Sequence, residues 1–110
     1  DLARNVLRDS LNSRVSLITI DAIQESVADY FGLRASDLRT KSNARRITRP
    51  RQIAMFLSKK LTNHSLPEIG RAFGGKHHST VIHSVRKVEY DCEKDERTRQ
   101  VVQTLLEALE

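Results

Sequence analysis

Apolar residues recur along this chain at intervals of three and four, the period of helices that bury one face. Leu2, Val6, Leu7 and Leu11 set a helix over residues 1–12. Residues 15–20 carry β-favouring side chains but have no strand to pair with, and read as an extended connector. The next stripe is Ile20, Ile23, Val27, Tyr30 and Phe31. Thr19 stands where an N-cap oxygen takes an orphan N–H, Asp21 suits the positive end of the helix, and Gly32 marks its stop. Residues 36–38 make a single turn. Ile53, Phe56, Leu57 and Leu61 line another helix, with Ala54 and Met55 beside the stripe and a turn at residues 62–64. Between these helices, residues 39–49 (RTKSNARRITR) hold no apolar stripe and are dense in Arg and Lys, which predicts a basic loop. Pro50 then fits a first helical turn, where its missing N–H costs nothing.

The second half of the chain carries sharper punctuation. Ser65-Leu66-Pro67-Glu68 matches a capping box, followed by a helix of about two turns on Leu66, Ile69, Ala72 and Phe73. Gly74-Gly75 permits the left-handed backbone that ends it. A new helix starts near His78 and buries Val81, Ile82, Val85, Val88 and Cys92. A last one, over about residues 94–109, buries Val101, Val102, Leu105 and Leu109. No strand pair and no internal repeat is signalled, so the fold class is all-α.

Short helix, glycine turn, longer helix is the helix-turn-helix pattern, in which the second helix enters the major groove of duplex DNA by its N-terminus. Its first turn holds Lys76, His77, His78, Ser79 and Thr80, none of them in the apolar stripe. Short hydroxyl and imidazole groups reach base edges, and a threonine methyl packs on the thymine methyl. Unpaired N–H groups at such a helix end suit phosphate.

Charge strengthens this reading. The formal net charge of +5 divides unevenly: residues 1–33 carry −2, residues 34–60 carry +8, residues 61–88 carry +3 and residues 89–110 carry −4. A basic middle between acidic ends suits a polyanion. With 110 residues, one cysteine and no long apolar run, the chain fits a single domain of a reducing compartment, without a disulfide framework or a membrane span. The expected location is the cytoplasm, at the nucleoid.

The run GGKHHSTVIHSVRKV, with RPRQIAM and LTNHSLPEIGRAFGG before it, resembles the C-terminal DNA-binding domain of the bacterial chromosomal replication initiator family, DnaA. The likeness extends from about Thr19 to Val88 without a gap. It implies a Trp-repressor-like helix-turn-helix domain of about six helices over residues 15–110. Residues 1–14 resemble the helix that joins this domain to the family's AAA+ ATPase module. ATP and magnesium belong to that module, so no cofactor, metal or enzymatic activity is expected of this chain.

By the same resemblance, the domain binds TTATNCACA-type boxes at replication origins, one monomer per asymmetric box, and regulatory proteins are possible partners. His78, Ser79 and Thr80 match residues that read bases. Arg51 and Gln52 match DNA contacts at a helix start, with Arg51 on phosphate. Lys59 matches a backbone contact, and Leu66 and Pro67 stand where the family touches phosphate. Two positions depart from the family. His77 replaces a usual Asp that accepts from a cytosine amino group, and neutral histidine accepts only through one ring nitrogen. Asn43 replaces the minor-groove arginine, for which Arg45 or Arg46 could substitute. Lys76 is grouped with these backbone or minor-groove contacts.

Competing readings have less behind them. His77, His78, His83 and Cys92 lack the paired short spacings and thiolates of a structural zinc site. Glu68 has no partner carboxylate, His64 lies in a turn, and the four glycines form no phosphate-binding loop. A generic helix-turn-helix regulator would share the DNA chemistry. A protein-interaction module would use the acidic last helix through Val101, Leu105 and Leu109.

Overall fold

The computed structural model describes residues 18–109, and the helix expected over residues 1–12 lies outside them. Five α-helices follow one another: α1 (Ile20–Phe31), α2 (Arg45–Leu61), α3 (Leu66–Ala72), α4 (His78–Lys94) and α5 (Glu96–Leu109). A 3-10 turn, Ala35–Arg39, stands between α1 and α2, over the single turn expected there. No strand occurs among the described residues.

The ends of α1 follow from sequence chemistry. The Thr19 hydroxyl accepts from the Ala22 N–H at 3.0 Å. At the other end Gly32 is left-handed (φ 69°), its N–H reaches the Asp29 carbonyl, and the Leu33 N–H reaches Ala28. Those are the two bonds of a Schellman stop. Glu68 and Ser65 cap α3 reciprocally: the Ser65 N–H donates to the Glu68 carboxylate at 2.8 Å, and the Glu68 N–H to Ser65 Oγ at 3.2 Å. Asp95 separates α4 from α5, accepting from the Thr98 hydroxyl at 2.7 Å and from its N–H at 3.3 Å.

The core is continuous. Ile23, Val27, Leu38, Ala54, Met55, Leu57, Ile69, Phe73, Val81 and Val88 are wholly buried. Helix α2 lies along α4 and also meets α1 and α3, so it forms the spine against which both arms of the helix-turn-helix pack. Met55 and Ala54, expected beside the stripe, lie at its centre. Tyr30, expected in the stripe, is 47% exposed and turns its ring edge-on to Phe31. Buried Gln24 ties α1 to the helix-turn-helix, donating from Nε2 to the Ala72 carbonyl at the end of α3, 2.9 Å away.

One expectation is corrected. The basic segment is a loop only as far as Ala44, because α2 begins at Arg45 and Pro50 is its sixth residue. Buried Ile47 anchors the extra turn, and the Ala44 carbonyl accepts from both Ile47 and Thr48. The proline removes one ladder bond, to the carbonyl of exposed Arg46, close enough to the helix end for the turn to persist.

Candidate nucleic-acid interface

The site starts from the turn between α3 and α4. Phe73 is wholly buried and closes α3 against the core. Gly74 and Gly75 follow with φ of 83° and 79°. The chain then doubles back, and the Lys76 N–H donates to the Gly70 carbonyl at 2.8 Å. A Cβ on Gly70 would lie 2.1 Å from the Lys76 carbonyl oxygen, and one on Gly74 would lie 2.0 Å from that of Arg39. Gly70 and Gly74 therefore allow backbone to press on backbone, whereas Gly75 has open space around it.

This turn projects the first turn of α4 into solvent. His77, His78, Ser79 and Thr80 are all exposed, while Val81 immediately after them is wholly buried and fixes the helix. His77 is the N-cap. Its Nδ1 accepts from the Ser79 N–H at 3.2 Å and lies 2.8 Å from the Ser79 hydroxyl. Its ring leans on that of His78, with centroids 4.3 Å apart and planes 32° apart.

The basic segment is tied to the same turn. Arg51, expected on phosphate, is instead 6% exposed and donates to the Thr40 carbonyl at 3.0 Å and the Ser42 carbonyl at 2.7 Å. Lys76 donates to the same Thr40 oxygen at 2.7 Å and to Phe73 at 3.1 Å. Burial lowers the pKa of both, and Arg51 and Lys41 lower that of Lys76 further by like-charge repulsion. In this structure both cations act inward, shaping the loop over residues 40–44. Arg49 is also turned inward, paired with Asp91 at 2.9 Å and bonded to Thr98 at 3.1 Å.

Arg45 and Arg46 remain exposed, on the first turn of α2. That turn has no acidic residue and no side-chain cap from Ala44, so its positive end faces two further cations. That arrangement costs about 0.3–1 kcal/mol and suits an incoming anion. Arg45 and Gln52 line one cleft with Thr48, Arg49, Asp91 and Lys87. Lys87 was not singled out from the sequence, although it lies seven residues, two helical turns, after Thr80 on α4. Lys59 is exposed near the far end of α2, about 21 Å along the axis from Arg45. It borders a different groove with Glu89 and Glu93. Leu66 is half-buried and Pro67 exposed at the start of α3.

Among the described residues no group of three or more His, Cys, Asp or Glu is placed to hold a metal ion, and no helix is long and apolar enough to cross a membrane. An exposed polar first turn, a doubled-back glycine corner and a tethered basic loop define a helix-turn-helix nucleic-acid-binding domain. Residues 20–88 match the family model described as the bacterial DnaA protein helix-turn-helix, and the chain belongs to that family. The matched segment is that family's helix-turn-helix, a DNA-binding element. A crystal structure described as a DNA replication initiation factor is similar to this chain, with 34% identity and a TM-score of 0.73 over 94% of it. The chain spans 31% of that protein's length.

Proposed function

We propose that this domain binds short asymmetric duplex boxes of the TTATNCACA type at replication origins, one copy per box. Through that binding it positions an attached ATPase module for duplex opening. Supporting this is the exposed turn His77–Thr80, held rigidly on a helix whose next residue is wholly buried. In this reading Ser79, Thr80 and the two histidines contact base edges. Arg45, Arg46, Gln52, Lys59, Leu66 and Pro67 meet the backbone or minor groove, and phosphate contacts set the register. Arg51 and Lys76 support the arm that carries Lys41 and Arg45.

Fluorescence anisotropy on a labelled duplex with one box, against a scrambled duplex, tests the reading. The expected preference is about a hundredfold or more. Equal, salt-sensitive binding to both would leave a general DNA binder. Thr80→Ala is expected to cost about 1–3 kcal/mol on the box and much less on scrambled DNA. Equal losses would remove Thr80 from base reading.

A further inference from the structure

We infer that His77 meets the major groove as a hydrogen-bond donor through Nε2–H, so that the base facing it carries an acceptor and is not cytosine. The inference rests on the DNA-binding reading and assigns a polarity to one of its readers.

The argument starts at Nδ1. Two groups of Ser79 approach that atom, the backbone N–H at 3.2 Å and the hydroxyl at 2.8 Å. A hydroxyl can donate or accept, but a backbone N–H only donates, so Nδ1 presents its lone pair. The neutral ring then carries its proton on Nε2. The opposite tautomer would set two N–H groups against each other at the positive end of α4 and leave the Ser79 N–H without a partner. The His77 backbone (φ −67°, ψ 148°) is that of an N-cap, and the ring leans on His78, so its orientation is held from two sides.

Nε2 lies across the ring from Nδ1, on an exposed residue, and no described residue pairs with it. Protonating the ring adds a donor at Nδ1 and leaves Nε2–H a donor. In the major groove guanine offers O6 and N7, adenine N7 and thymine O4, whereas cytosine offers only its amino donor. A carboxylate at this position behaves differently: one oxygen caps Ser79 while the other accepts from a base. His77→Asp therefore keeps the cap and reverses the polarity.

Two measurements test this. Nitrogen-proton correlation spectra of the free, labelled domain should show His77 with Nδ1 bare and Nε2 protonated, and the Nδ1–H form would overturn the inference. A panel of duplexes carrying every base pair at each box position should then show one position that disfavours cytosine in the wild type. His77→Asp should move that position to cytosine by about tenfold and leave the others unchanged. Cytosine preferred there by both proteins, or no position responding to the exchange, would overturn it. A panel flat for the wild type would instead remove the DNA-reading function, and the tautomer measurement separates that failure from this one.

Discussion

Arg51 and Lys76 come from different elements and converge on the Thr40 carbonyl, at 3.0 and 2.7 Å. Two cations sharing one oxygen repel each other, and the arrangement persists because Ser42 and Phe73 supply further carbonyls. Arg51 is thus a positioning residue: it shapes the chain that delivers Lys41, Asn43 and Arg45. Arg51→Ala should lower stability by about 2 kcal/mol, in the range for hydrogen bonds to a charged group. It should also speed trypsin cleavage after Lys41 in the DNA-free domain. A residue that served only phosphate would leave cleavage and the urea midpoint unchanged. Lys76→Met should loosen the same loop less, since Arg51 still holds two of its carbonyls.

At the scale of elements, the turn depends on glycines in two ways. Gly74 needs its left-handed φ and also has a carbonyl oxygen where a Cβ would be. Gly70 is an ordinary helical residue with the same kind of obstruction. Gly75 needs only the backbone freedom. Urea denaturation should therefore rank the alanine variants: Gly75→Ala losing about 1–2 kcal/mol from the left-handed backbone alone, Gly70→Ala and Gly74→Ala losing more. Equal losses at all three would mean that the backbone contacts relax freely.

The caps of α3 and α5 give a second test. Hydrogen bonds from Ser65, its backbone first and then its side chain, hold the Glu68 carboxyl below its ordinary pKa, and the Thr98 hydroxyl does the same for Asp95. A depressed carboxylate contributes stability above its unfolded pKa and loses it as pH falls through the folded value. Amide exchange at the starts of α3 and α5 should therefore rise below about pH 4, with α2 protected longer. Uniform exchange along the chain would show that the caps carry no local stability.

How much of this was legible follows from the same residues. Caps, glycine stops and most of the apolar stripes of α1, α3 and α4 are local signals and stand where the sequence puts them, whereas Tyr30 is exposed and Ile82, expected buried, is only half-buried. The extra turn of α2 was hidden because Ile47 is its lone apolar anchor and Pro50 resembles a start. Gly70 was hidden because its obstruction comes from Lys76, six residues away in a chain that has doubled back. The inward turn of Arg49 and Arg51 is a tertiary fact: a charged residue looks the same in sequence whether it faces a carbonyl or solvent. The exposed first turn of α4 was readable because its polar residues interrupt the stripe just before Val81.

Over the whole molecule, charge is sorted along the chain, with +8 on residues 34–60 and −4 on residues 89–110. The basic excess of residues 34–60 favours the approach of a polyanion. The count of basic residues overstates the cations free to meet DNA, however, since Arg49, Arg51 and Lys76 are engaged in bonds within the chain. Counterion release distinguishes the two populations, because each neutralised phosphate steepens the slope of log K against log salt by about 0.9. On scrambled DNA, separate removal of Arg45, Arg46 or Lys59 should flatten that slope by about one. Arg49→Met should leave it nearly unchanged while lowering stability, because the bond to Thr98 is lost and Asp91 keeps only Lys87, at 3.2 Å. A slope that flattens as much for Arg49→Met as for Arg45→Ala would show that the Asp91 pair opens on DNA, releasing the guanidinium to a phosphate. The cleft shared by Arg45, Gln52 and Lys87 would then be the place where it happens.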